Sequence, residues 1–248
     1  MPKNTAITEL CPWGGVKLSK GKPFGKFLAF TLAEVLITLG IIGIVAAMTI
    51  PTLITRSQQN QVITHLQKFY STLTNALNRS TIENGDMETW NIPETQNDVE
   101  QMITFVKQYL SPYLQGRICY YRTDGEICSK AMDNFKVNEP VFILADGSCF
   151  NILKGGGDSK SGWIHIFYDI NCAEKPNVYN RDKFSFTLFY SQNISFKLKI
   201  GSTTTFKYDN PTREELLNIC KQGGYGNEGS CGALIQYDGW QIKDDYPW

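Results

Sequence analysis

The stretch "GKFLAFTLAEVLITLGIIGIVAAMTIPTLITR", residues 25–56, constrains this chain more than any other. From Val35 to Thr55 it carries no charge, and Arg56 ends it. A helix rises about 1.5 Å per residue, so roughly 20 apolar residues cross a bilayer core of about 30 Å. A secretory signal peptide would have a shorter apolar core followed by a small-residue cleavage site. Here the polar sequence "RSQQNQVITHLQKFY" follows directly, so a retained span in a lipid bilayer is expected. Lys3, Lys17, Lys20, Lys22 and Lys26 precede the span against a single acid, Glu9. The positive-inside rule then places the N-terminus in the cytoplasm and the rest of the chain outside it.

Beyond the span, Val62, Leu66, Phe69, Leu73 and Leu77 recur at steps of four and three, the helix period. One helix is therefore expected from about Phe30 to Thr81, apolar in its first half and amphipathic in its second, with Asn84-Gly85 as its stop. Pro51 lies inside it and removes one backbone donor, which predicts a kink.

Cys11 lies before the span, and Cys119, Cys128, Cys149, Cys172, Cys220 and Cys231 all follow it. An even set on the outer side reads as a disulfide framework in an oxidising compartment, and no CxxC pair suggests zinc. Six cysteines allow about 15 pairings; sequence neighbours are favoured, Cys119–Cys128, Cys149–Cys172 and Cys220–Cys231. The 24 basic and 24 acidic residues balance, but with the basic segment set aside the remainder is mildly acidic. That argues against nucleic acid as a partner.

Glu34 sits near the start of the apolar run, where a carboxylate costs about 2.5–3.5 kcal/mol at a helix centre and less near an interface. No lysine or arginine within the span can pair with it. A cut just before Phe30 would create a positive amine, and in a bundle of identical helices a neighbour's amine could neutralise the acid. The segment "AFTLAEVLITLGIIGIVAAMTIPTLI" resembles the cleavage and methylation segment of type IV prepilins and type II secretion pseudopilins. The likeness covers about Gly25 to Ser57. It implies that a prepilin peptidase removes residues 1–29 after Ala29, where the family usually has Gly. Phe30 would become the N-methylated first residue and Glu34 the fifth. Pro51 falls twenty-second, where many pilins carry a kinking proline. The resemblance further implies other pilin or pseudopilin subunits and an inner-membrane assembly platform as partners. The competing reading is a non-assembling single-pass anchor bearing an extracytoplasmic binding protein.

The rest divides into the amphipathic part of the helix, 56–84, following the apolar part, 30–55, and an outer domain, 85–248. "NDVEQMITFVKQYLSPYL" reads as a second short helix. "RICYYRTDGEICSK" reads as a cysteine-bracketed excursion turning at Asp124-Gly125. "EPVFILADGSCFNIL" reads as a hairpin about Asp146-Gly147, "KGGGDSKSG" as a flexible connector, and "GWIHIFYDIN", "KFSFTLFY" and "ISFKLKIG" as half-buried strands. The expected class is α+β: a long N-terminal helix packed on an antiparallel sheet with disulfide-stapled loops. This is also the pilin-like fold.

In "DINCAEKPNVYNRDKFSF", Asp169, Asn171, Glu174, Asn177, Asn180 and Asp182 offer oxygen ligands of the kind calcium prefers. Some pseudopilins bind calcium in such a loop, with Asp169, Asn171 and Asp182 as the candidates here. The EF-hand order is missing, and Asx residues with Pro176 equally make turns, which is the favoured reading. The ending "CGALIQYDGWQIKDDYPW" is an aromatic tail expected to pack on the sheet; DGW…YPW endings occur in pilin-like proteins with this type of leader. No GxSxG, Walker loop or HExxH is present, and His65 and His165 are the only histidines, so no enzyme is expected. The sequence thus points to a structural subunit of the inner membrane, single-pass, with its outer domain periplasmic or extracellular in an assembled filament.

Overall fold

The computed structural model describes residues 30–248 except 97, 192–193, 203–204, 206–209 and 225, and no side chain at 194 or 195. Residues 1–29, with Cys11 and Ala29, lie outside the described residues. The chain divides into two compact units between Pro51 and Thr52.

Helix α1 (Leu32–Asn84) is 53 residues long and contains Pro51 in its interior. It begins close to the expected Phe30 and ends at Asn84, where Gly85 takes φ 79° and breaks the ladder. Its 52–84 portion buries Val62, Leu66, Phe69, Leu73, Ala76, Leu77 and Ser80 along one face. This is the stripe that the spacing predicts. Helix α2 (Val99–Tyr109) follows, capped by Asp98, whose side chain accepts from Gln101 N at 3.0 Å. It buries Met102, Ile103, Phe105, Val106 and Tyr109.

Six strands form one sheet in the order of the chain: β1 (Gly116–Cys119), β2 (Val141–Leu144), β3 (Cys149–Gly157), β4 (Ser161–Asp169), β5 (Lys183–Ser191) and β6 (Ile194–Ile200). Every neighbouring pair is antiparallel. Alternation sends Phe150 and Ile152 of β3, Ile164, Ile166 and Tyr168 of β4, and Phe184, Phe186 and Leu188 of β5 into the core that also receives α1. Phe69 of α1 stacks on Tyr168 at 4.0 Å and meets Phe150 and Phe186 at 5.0 and 4.9 Å. A second, smaller core lies about helix α3 (Glu126–Phe135), whose Cys128, Ala131 and Met132 cluster with Val141, Cys149 and Cys172.

Several local readings change. Asp124-Gly125 is no hairpin turn: Arg122–Asp124 form a 3-10 turn, and Gly125 at φ 123° opens α3. The Asp124 carboxylate accepts from the backbone N–H of both Tyr120 and Tyr121, so it nucleates a helix start instead of a strand reversal. Most of "KGGGDSKSG" is strand. Lys154–Gly157 belong to β3 and Ser161-Gly162 to β4, leaving a short turn whose Asp158 accepts from Lys160 N and Ser161 N, both at 2.8 Å. Glycine is required there because the Trp163 indole lies on the backbone: a Cβ at Gly155 or Gly156 would stand 2.3 Å from the ring. The C-terminal region adds α4 (Arg213–Gln222) and α5 (Cys231–Tyr237), the first with a Thr212/Glu215 capping box.

Candidate functional site

The segment around Phe30 and Glu34 opens α1. Thr31 stands just before the first helical residue, and Glu34 is three positions on. The Glu34 carboxylate accepts from Thr31 N and Thr31 Oγ1, each at 2.8 Å, while Glu34 N donates to Thr31 Oγ1 at 3.2 Å. This reciprocal arrangement is a capping box that satisfies two of the helix's free donors. The acid therefore has a partner within its own chain, a hydroxyl and a backbone N–H in place of a cation. The signal was legible as Thr-x-x-Glu ahead of an apolar run. Phe30 and the apolar side chains Leu32, Leu36, Ile37, Leu39, Ile41, Ile42, Ile44 and Met48 are all exposed. This part of α1 is long and apolar enough to cross a membrane.

The oxygen-rich loop after β4 holds Asp169, Asn171 and Asp182, and the carboxylates of Asp169 and Asp182 are turned to protein donors. Asp182 accepts from Asn177 N at 2.6 Å and Val178 N at 2.5 Å. Asp169 accepts from Asn134 Nδ2 at 2.9 Å and Asn171 N at 3.1 Å, with Lys183 Nζ 3.8 Å away. Asn180 Oδ1 accepts from Cys231 N at 2.9 Å. The amide oxygens of Asn171 and Asn177 are buried without a hydrogen-bond partner. Among the described residues, no group of three or more His, Cys, Asp or Glu side chains is arranged to hold a metal. Burial raises the Asp169 carboxyl to about 6, against the bonds from Asn134 and Asn171 and the nearby Lys183. Burial also raises Asp182 and lowers Lys183.

All three neighbour pairings of cysteine are present: Cys119–Cys128, Cys149–Cys172 and Cys220–Cys231. They tie β1 to α3, β3 to the loop after β4, and α4 to α5. The aromatic tail packs on the core: Tyr246 is buried and donates to Asn180 O at 2.7 Å, and Trp240 and Trp248 are half-buried against the same cluster. Arg213 holds the tail in place, reaching Asp238 and Asp245 at 2.8 Å each, with Lys243 also 2.7 Å from Asp238. Its guanidinium draws Asp245 down to about 2 and lowers Asp238. The two histidines stand apart in role: His165 Nε2 accepts from Trp163 Nε1 at 3.1 Å, and His65 Nδ1 lies 3.4 Å from the Tyr168 hydroxyl. Burial pushes His165 down, which favours a neutral ring. A hollow of about 780 Å³ is lined by Glu88, Trp90, Glu94, Glu100 and Lys160 among others, and its lining holds neither histidine nor cysteine.

These features define an α+β protein with a long apolar N-terminal helix, a six-stranded antiparallel meander and three local disulfides. Residues 52–248 match a family of unknown function, DUF6613, and the chain belongs to that family. No curated protein and no solved structure matches the chain.

Proposed function

We propose that this chain is a pilin-like structural subunit, cut by a prepilin peptidase after Ala29, N-methylated at Phe30 and assembled into a type IV pilus or type II secretion pseudopilus. The observation that carries the reading is the register of one uninterrupted helix. Its apolar portion holds a single carboxylate, Glu34, four positions after the Ala29-Phe30 junction, and its 52–84 portion packs in an α+β domain. In this reading the capping box is the resting state of the acid. During assembly Glu34 leaves Thr31, or shares its second oxygen, to meet the amine of a neighbour's Phe30. That exchange sets the axial step between subunits, and the apolar portions form the filament core. Inner-membrane platform proteins and fellow subunits are the partners, and the lipid bilayer is the reservoir from which the subunit is drawn.

Intact-mass spectrometry of the protein from its native membrane tests the first step: the mature species should begin at Phe30 and carry one methyl group. Replacing Ala29 with a bulky residue should leave the leader attached and stop assembly. Glu34→Leu is expected to insert and fold normally but to be lost from sheared filament fractions. An uncut chain that stays in the membrane under all conditions would sink the proposal in favour of a plain anchored domain.

A further inference from the structure

A cluster that neither the apolar helix nor the tail uses lies where the end of α3 meets the sheet. Asp169 of β4 and Lys183 of β5 are register partners across the two strands. Asn134, near the end of α3, reaches both. Its carboxamide is held at three points: Nδ2 donates to Asp169 Oδ2 and to the Cys172 carbonyl, both at 2.9 Å, and Oδ1 accepts from Lys183 Nζ at 2.7 Å. Lys183 Nζ also donates to the Asn134 carbonyl at 3.0 Å and stands 3.8 Å from Asp169 Oδ2. Asp169 is fully buried, and Lys183 is 6% exposed. The rings of Phe135 and Tyr179 flank Nζ, their centroids 5.6 and 5.9 Å away.

We propose that Lys183 and Asn134 become joined by an intramolecular isopeptide bond, with Asp169 relaying the protons. A surface lysine is solvated and protonated and does not attack an amide. Here the buried amine and acid are held in contact with the half-buried Asn134 carboxamide, which replaces a bimolecular encounter by a pre-oriented one. Burial shifts Lys183 down and Asp169 up, so the pair is drawn toward neutral amine and neutral acid. Asp182 also faces Lys183, but its oxygens are engaged by Asn177 N and Val178 N, leaving Asp169 as the acid placed at the leaving nitrogen.

The step balances without a co-reactant. Asp169 takes a proton from the Lys183 ammonium. The freed lone pair forms a bond to Asn134 Cγ, and the carbonyl electrons move to Oδ1. Asp169 returns its proton to Nδ2, the Cγ–Nδ2 bond breaks as the carbonyl reforms, and ammonia departs. Ammonia carries away the surplus proton of Nζ as ammonium, and Asp169 ends ionised as it began. The product is a secondary amide that fastens α3 to β5, beside the disulfides that fasten β1 to α3 and β3 to the loop after β4.

The test is mass spectrometry of the oxidised full-length chain, intact and after proteolysis. After correction for the disulfides, the expected chain is lighter by about 17 Da, one ammonia, and yields a branched peptide joining positions 134 and 183. Asp169→Asn and Lys183→Arg should both restore the full mass. Wild-type protein at full mass, with positions 134 and 183 on separate peptides, overturns the proposal. A loss of about 18 Da with Lys183 joined to Asp169 overturns it too, because water would then have left instead of ammonia. The wild-type measurement decides the matter even where a variant fails to fold.

Discussion

Phe69 is where α1 grips the sheet, and its truncation gives a sharp number. The ring is 2% exposed and lies almost parallel to Tyr168, at 9° and 4.0 Å, with Phe150 and Phe186 at 5.0 and 4.9 Å. Phe→Ala in a core costs about 3–5 kcal/mol through lost transfer energy and the cavity left behind. Aromatic pairs add about 0.5–1.5 kcal/mol beyond area burial, and three neighbours here lose their partner at once. The upper end, about 4–5 kcal/mol, is therefore expected for Phe69→Ala. For a domain of this size that corresponds to a fall in midpoint on the order of 10–15 °C. Chemical denaturation of the full chain in detergent, followed by tryptophan fluorescence, measures it. Ile82→Ala is the control on the same helix: its side chain is 83% exposed, and a change within about 0.5 kcal/mol is expected. If the two variants differ by less than about 1 kcal/mol, the amphipathic part of α1 does not hold the sheet as described.

Three further perturbations have definite directions. Burial raises Asp146, but the Lys68 and Ser148 hydrogen bonds outweigh it and bring the carboxyl to about 2. A folded value below the ordinary 3.8 stabilises the fold above pH 3.8, and that contribution is lost as pH falls from about 4 to about 2; Asp146→Asn should flatten acid unfolding in that window. Replacing Cys149 and Cys172 together by Ser opens a bridge spanning 23 residues and should cost about 3 kcal/mol, read by thermal melting against the same protein with its other two bridges intact. Gly155→Ala puts a methyl group 2.3 Å from the Trp163 ring, so about 1–3 kcal/mol of destabilisation and a shift in indole emission are expected.

The long helix, its buried stripe, α2 and five of the six strands, β2 to β6, were legible from hydrophobic periodicity and β-rich runs bounded by turn residues. The three disulfides were legible because each joins two consecutive cysteines of the outer domain, 9, 23 and 11 residues apart. Helix α3 was not. Its cysteine and the Asp124-Gly125 pair imitate a hairpin, and what decides otherwise is two backbone donors converging on one carboxylate. "KGGGDSKSG" reads as a flexible connector by composition, yet its glycines serve a tryptophan that lies on the neighbouring strand. The partner of Glu34 does not show in the pattern of charges, because a threonine hydroxyl and a backbone N–H supply it. The cluster of Asn134, Asp169 and Lys183 had no signal in sequence: its members come from three elements and meet only after the sheet has paired.

The meander has a consequence for how such a chain can be made. Each strand pairs with the one before it, and each disulfide joins consecutive cysteines of the outer domain. A chain emerging N-terminus first can therefore complete every pairing with a segment already delivered. Contacts local in sequence fold fast and expose few unpaired edges along the way. The sheet can grow one strand at a time against a helix that was delivered first, each strand meeting partners already in place, until Arg213 and Tyr246 fasten the C-terminal end.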